Sequence, residues 1–70
     1  MSGDINMLNI GVNIKELRKS NHLTQDDLAQ MLGYSLRSIQ RLEREGTDSI
    51  SLIINVAKVF NVNLESILFI

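Results

Sequence analysis

Arg37, Gln40, Arg41 and Arg44 recur at spacings of three and four residues inside the stretch TQDDLAQMLGYSLRSIQRLER, residues 24–44. On an α-helix, which turns about 100° per residue, that spacing gathers the guanidiniums and the carboxamide on one side. A guanidinium is a planar donor fork that fits a phosphate or the O6/N7 edge of guanine, and a carboxamide fits the N6/N7 edge of adenine. Leu36 falls on the same side. There it can touch a thymine methyl, or pack on Leu32 or on a partner helix. Ser35, Ile39 and Leu42 fall on the opposite side, with Glu43 at its edge. A solvated face with ordinary charges is the competing interpretation, but this face holds Arg and no Lys, and Arg is the residue suited to bidentate recognition.

Other chemistries find little support. There is no Cys and a single His, His22, which reads as a surface loop residue. Neither a thiolate nor a histidine metal site can be assembled, and no metal or other cofactor is expected. No Gly-rich phosphate loop and no carboxylate pair on a shared face appears, so acid–base and nucleophilic machinery are missing and no catalytic residue is assigned. Seven Lys+Arg stand against eight Asp+Glu, a net charge of −1, and the sequence pI is about 5.6. Such a balance argues against avid non-specific binding to polyanions, which comes from neutralised phosphates. It leaves room for local basic contacts. No apolar run approaches the ~20 residues needed to span a membrane, and the polar start Ser2-Gly3-Asp4 has no leader pattern. A cytoplasmic protein is expected.

The elements that must position these groups are all helical. With 70 residues the chain makes one domain whose core must come from apolar packing. Proline is absent and apolar residues recur at helical spacing, which predicts an all-α fold. A first helix is expected from about Ile10 to Asn21, with Asn9 as N-cap and Ile10, Ile14 and Leu17 on one face. Thr24 followed by Asp27 is a capping-box variant, Leu23 and Leu28 have the spacing of a hydrophobic staple, and Gly33 is a left-handed stop. The pattern then repeats. Ser35 caps, Tyr34 and Ile39 make the second staple pair, and Gly46 closes the helix. Two short helices joined through so tight a glycine turn must cross steeply, which is helix-turn-helix geometry. A fourth helix is expected to start after Asp48 or Ser49 and run to about Phe60, with Ile50, Ile53, Ile54, Ala57 and Phe60 facing inward and Asn61 as its left-handed cap. A short fifth helix follows from Asn63, with Leu64, Ile67 and Leu68 apolar. Residues 1–8 form an N-terminal extension and residues 9–70 the domain, with the helix-turn-helix at about 24–45.

The segment LTQDDLAQMLGYSLRSIQRLE, preceded by IKELRKSNH, resembles the Cro-like, phage-repressor (XRE-type) helix-turn-helix family. The likeness covers about residues 9–69. It implies a five-helix, lambda-repressor-like bundle of bacterial or phage origin that binds double-stranded operator DNA, usually as a homodimer regulating transcription. It also implies that Gln25 meets the phosphate backbone, that Ser35, Leu36, Arg37 and Arg41 face the groove, and that Arg18 pairs with Glu43. The residue pattern is compatible with each. Gln25 lies in a first helical turn, where open N–H groups favour a phosphate, though a plain exposed residue is the alternative. Glu43 at a buried edge needs a partner unless it reaches solvent. Base contacts are therefore assigned to Ser35, Leu36, Arg37, Gln40 and Arg41, and phosphate contacts to Gln25, Arg44 and Thr47. Two departures from the family stand out. His22 replaces the Gly frequent before LTQ, and the loop REGTDSI carries Glu45 and Asp48 where Lys or Arg is common.

A single copy with so few cationic contacts binds weakly at physiological salt, so a dimer reading a palindromic operator is expected, with half-sites about 34 Å apart. Leu52, Phe69 and Ile70 are the interface candidates, the alternative being that they complete a small core. No small-molecule ligand is expected. An interaction module of the same fold, either an antitoxin or an adaptor to another regulator, is the competing function.

Overall fold

Thr24 takes an extended backbone and starts helix α2 (Gln25–Leu32) with the expected reciprocal cap. Its Oγ1 accepts from the Asp27 N–H at 3.0 Å, and the Asp27 carboxylate accepts from the Thr24 N–H at 2.8 Å. Ser35 does the same for α3 (Leu36–Glu45), its hydroxyl accepting from the Ser38 N–H. Gly33 between them adopts φ 76°, ψ 27°. The Tyr34 N–H reaches back to the Ala29 carbonyl at 2.8 Å, closing a turn that needs the left-handed backbone only glycine takes without penalty. The computed structural model describes residues 7–69, and with α1 (Met7–Ser20), α4 (Ile50–Phe60) and α5 (Glu65–Leu68) it is a five-helix, all-α bundle.

The core is one cluster: Ile10 and Ile14 from α1, Leu28 and Ala29 from α2, Ile39 and Leu42 from α3, Ile53, Val56 and Ala57 from α4, and Ile67 from α5. Helix α3 lies against α1 and α2, and α5 returns to α1, where the Asn13 side-chain amide donates to the Ile67 carbonyl at 2.8 Å. Gly11 makes the α1–α3 approach possible. A Cβ there would stand 2.7 Å from the Leu42 carbonyl oxygen and 2.8 Å from that of Glu43.

Several expectations are corrected. Helix α1 begins at Met7, so Asn9 lies inside it and is not its cap. Ile50 is not inward-facing. It is 64% exposed, because it stands in the first turn of α4, ahead of the stripe that meets the core. Val56, assigned no role from the sequence, is fully buried in that stripe. Gly46 closes α3 as expected, at φ 78°, ψ −166°. Helix α5 is shorter than expected, since Asn63 and Leu64 form an i→i+3 turn ahead of it. His22 is more than a loop residue. It has φ 58° and is the left-handed terminator of α1, with the Leu23 N–H bonded to the Arg18 carbonyl at 3.1 Å. Asn61 ends α4 in the same way, as expected. Ile5 and Ile70 lie outside the described residues.

Candidate nucleic-acid interface

Helix α3 divides into two faces. Ile39, Leu42 and Glu43 are buried, while Leu36, Arg37, Gln40, Arg41 and Arg44 are exposed together. Arg37, Gln40, Arg41 and Arg44 line one shallow depression with Glu45. The structure therefore brings the predicted donor forks onto one open surface. Leu36 is 41% exposed at the start of that surface. Ser35 lies at the same end, with its hydroxyl shared between the Ser38 N–H and the Ser38 hydroxyl.

A buried ion pair sets the pose of α3. Ile10, Ile14 and Arg18 are spaced four residues apart, so the guanidinium continues the buried stripe of α1. Its Nε donates to Glu43 Oε2 at 2.7 Å and a terminal nitrogen donates to Oε1 at 3.0 Å. The other terminal nitrogen donates to the Leu23 carbonyl at 2.8 Å. The hydrogen bond to Glu43 holds the Arg18 guanidinium still further above its ordinary basicity, against the opposing effect of burial. Gln25 joins the pair, its Nε2 donating to Glu43 Oε1 at 3.1 Å. Arg18, Gln25 and Glu43 thus pin α1, the start of α2 and α3 to one another, and no buried side-chain N or O among the described residues lacks a partner.

At the start of α2 the capping box occupies the Thr24 and Asp27 N–H groups and does not engage those of Gln25 and Asp26. Hydrogen bonds from Thr24, the backbone N–H before the hydroxyl, hold the Asp27 carboxyl below the usual carboxylate range. Thr47 is half-buried, its Oγ1 accepting from the Ser49 N–H at 3.0 Å. Leu52 packs on the core and borders, with Tyr34 and Ser38, an open hollow of 410 Å³ beside α3. Phe69 is 38% exposed.

Two relations escaped the sequence reading. Glu45 accepts from Arg41 Nε at 3.3 Å and from an Arg44 terminal nitrogen at 3.1 Å. The i,i+4 spacing of Arg41 and Glu45 is a signal for the first of these contacts. The Gln25–Glu43 bond, across 18 residues of sequence, has no local signal. The Arg44 guanidinium, then Arg41, holds the Glu45 carboxyl below its ordinary range. Arg37 has no acidic partner among the described residues.

Residues 14–67 match the helix-turn-helix family HTH_3, more than half of the chain. The chain belongs to that family. This helix-turn-helix protein is similar to the antitoxin PezA of Streptococcus pneumoniae, with 46% identity over 56 residues, 77% of this chain and 35% of PezA. It spans about a third of that relative's length. An HTH-type transcriptional regulator of Methanocaldococcus jannaschii is 40% identical over 55 residues, covering 77% of this chain and 83% of that protein. Among solved structures, an HTH_3 family transcriptional regulator from Vibrio cholerae superposes with a TM-score of 0.76 at 27% identity, covering 87% of this chain and 35% of that one. The restriction-modification controller protein C.AhdI from Aeromonas hydrophila shares the fold, with a TM-score of 0.77 at 22% identity over 87% of this chain and 94% of its own.

Proposed function

We propose that this helix-turn-helix protein is a sequence-specific, double-stranded-DNA-binding transcriptional regulator, most simply a repressor, that inserts α3 into the major groove. One observation carries the reading: α3 presents Arg37, Gln40, Arg41 and Arg44 together on an open face. A helix of 10 residues is about 15 Å long and, with side chains, about as wide as the ~12 Å major groove. Arg37 and Arg41 are the base readers with Gln40, Leu36 and Ser35 beside them. Arg44, further along the helix, reaches the backbone, as do Gln25 and Thr47. The regulator names carried by the relatives from M. jannaschii and V. cholerae support the same reading.

With a net charge of −1, the reading includes a homodimer on a palindromic operator in the cytoplasm. Leu64 and Phe69, 39% and 38% exposed, support self-association near α5, and Ile70 belongs to the same proposal. A second reading, an antitoxin or adaptor that uses this fold to bind a protein, is favoured by the likeness to PezA.

Selection of bound sites from a random duplex pool at about 100–150 mM salt tests the first reading. Enrichment of a palindrome, lost in Arg37→Ala and Arg41→Ala with about 10- to 100-fold weaker binding for each, is the expected result. No enrichment by the wild-type protein refutes it in favour of the second.

A further inference from the structure

We propose that Glu45 is an internal competitor of DNA, a carboxylate that keeps Arg41 and Arg44 away from the phosphates of any duplex too poorly matched to open its ion pairs. The inference rests on the DNA-binding reading above and adds a residue that it did not use. Three guanidiniums and one carboxylate share the exposed side of α3, and the carboxylate touches two of the three, at 3.3 Å and 3.1 Å. The acid therefore does not lie beside the interface. It is joined to Arg41, assigned to a base edge, and to Arg44, assigned to the backbone.

The exposures make this contact reversible. The side chains of Arg41, Arg44 and Glu45 are 74%, 69% and 48% exposed. Exposed ion pairs between flexible side chains contribute little to fold stability and open readily. The fold gives this carboxylate no further task among the described residues: its only side-chain hydrogen bonds go to these two arginines. The contrast with Glu43 is direct, since that carboxylate is buried and held by Arg18 and Gln25.

On random duplex, where no base edge rewards a particular arginine pose, Glu45 retains its partners and leaves Arg37 as the guanidinium of the face with no acidic partner among the described residues. On a cognate site, the base edges and aligned phosphates draw Arg41 and Arg44 away from the carboxylate. Random duplex therefore forgoes these phosphate contacts, which make up almost all of non-specific binding, while a cognate site makes them and bears the cost of opening the pairs. A protein with a net charge of −1 thus makes fewer phosphate contacts on random duplex, and makes the full set only where the sequence draws both arginines off the carboxylate.

The test compares the wild-type protein with Glu45→Gln, which retains shape and hydrogen bonding but not charge. Each binds two probes, a random-sequence duplex and the duplex selected by the wild-type protein, across a salt series. Each added phosphate contact steepens the slope of log K against log salt by about 0.9. Releasing one or both arginines should therefore steepen the random-duplex slope by about 0.9 to 1.8. The corresponding ceiling on the gain in affinity for random duplex at 0.1 M salt is about 60-fold, and the slope on the selected site, where the wild-type protein already makes these contacts, should not change. Adding Arg44→Gln to Glu45→Gln should return about half of the change in slope. Thermal melting by circular dichroism checks that each variant is folded. An unchanged random-duplex slope in folded Glu45→Gln overturns the inference, as does an equal steepening on both probes. Wild-type protein that selects no duplex at all overturns the underlying DNA-binding reading instead, and the inference with it.

Discussion

Replacing Arg18 by Met should remove about a third or more of the folding free energy while leaving sequence preference unchanged in the folded molecules. Arg18 is 8% exposed and Glu43 6%. The guanidinium makes two hydrogen bonds to the carboxylate, at 2.7 Å and 3.0 Å, and one to the Leu23 carbonyl at 2.8 Å. Met preserves much of the stem's packing but removes all three donors. Glu43 is then a buried carboxylate held by Gln25 alone, and breaking a buried pair in this way costs about 3–5 kcal/mol. At ~0.05–0.15 kcal/mol per residue, total stability for 70 residues is about 3.5–10 kcal/mol. The substitution therefore removes a third or more of what holds the fold.

Urea unfolding followed by circular dichroism measures the loss directly, and thermal melting should show a fall of at least about 12 °C at ~4 °C per kcal/mol. The decisive comparison is Arg18→Met combined with Glu43→Leu. Removing both charges replaces the buried pair by apolar groups, which is often close to neutral. What remains is the cost of the Gln25 amide and the Leu23 carbonyl losing partners, about 1–3 kcal/mol. The double variant should thus be more stable than Arg18→Met alone. Arg18→Met melting like wild type would refute the reasoning, and so would a double variant that melts as low as the single one.

Gly11→Ala should destabilise by about 1–3 kcal/mol, the usual cost of overpacking, because its Cβ would meet the carbonyl oxygens of Leu42 and Glu43 at 2.7 Å and 2.8 Å; chemical denaturation measures it. His22→Gly should stabilise by about 0.5 kcal/mol, since relief of a left-handed residue's strain, ~1–2 kcal/mol, exceeds glycine's extra chain entropy, ~0.5–1 kcal/mol. A melting point that falls would show that His22 makes a contact worth more than the strain. The Asp27 carboxyl is held below its ordinary value in the fold, chiefly by the Thr24 N–H. Its contribution is therefore complete above the unfolded value of about 3.9 and is lost as pH falls through the lower folded value. Asp27→Asn should flatten the melting-temperature profile below about pH 4, and an unchanged profile would assign acid sensitivity to other carboxylates.

How much could be read in advance depended on the range of the interaction. Thr24, Asp27, Gly33, Ser35 and Asn61 act on backbone groups within a few residues, so spacing alone was enough to assign their caps. The sidedness of α3 followed from its period for the same reason. Ile50 shows where this reasoning stops. It satisfies the period of α4, but whether a turn at a helix end is covered depends on what the rest of the chain brings over it. Gly11 is the sharper example. Nothing near it in sequence calls for glycine, and the demand comes from two carbonyl oxygens at the far end of α3. His22 differs again. Its left-handed turn needed no distant partner, but histidine disguised a position at which glycine would have announced the stop.

One side-chain chemistry serves two ends here, and burial decides which. Arg18 has its donors consumed by Glu43 and Leu23 and is withdrawn from solvent, so it can only hold α3 in place. Arg37, Arg41 and Arg44 keep theirs at the surface, where a rigid fork has value only if the helix carrying it does not move. The two sets are linked through a single element, because Glu43, Arg44 and Glu45 are consecutive on α3. The same turn that anchors the helix to α1 through a buried carboxylate also presents an exposed carboxylate to the arginines beside it. Small rotations of α3 should therefore be resisted where they would misalign Arg37 and Arg41, while the Glu45 contacts stay soft enough to exchange. Hydrogen exchange tests this distinction. Amides of α3 around Leu42 should be protected to nearly the global unfolding free energy, and Arg18→Met should lower that protection far more than Glu45→Gln.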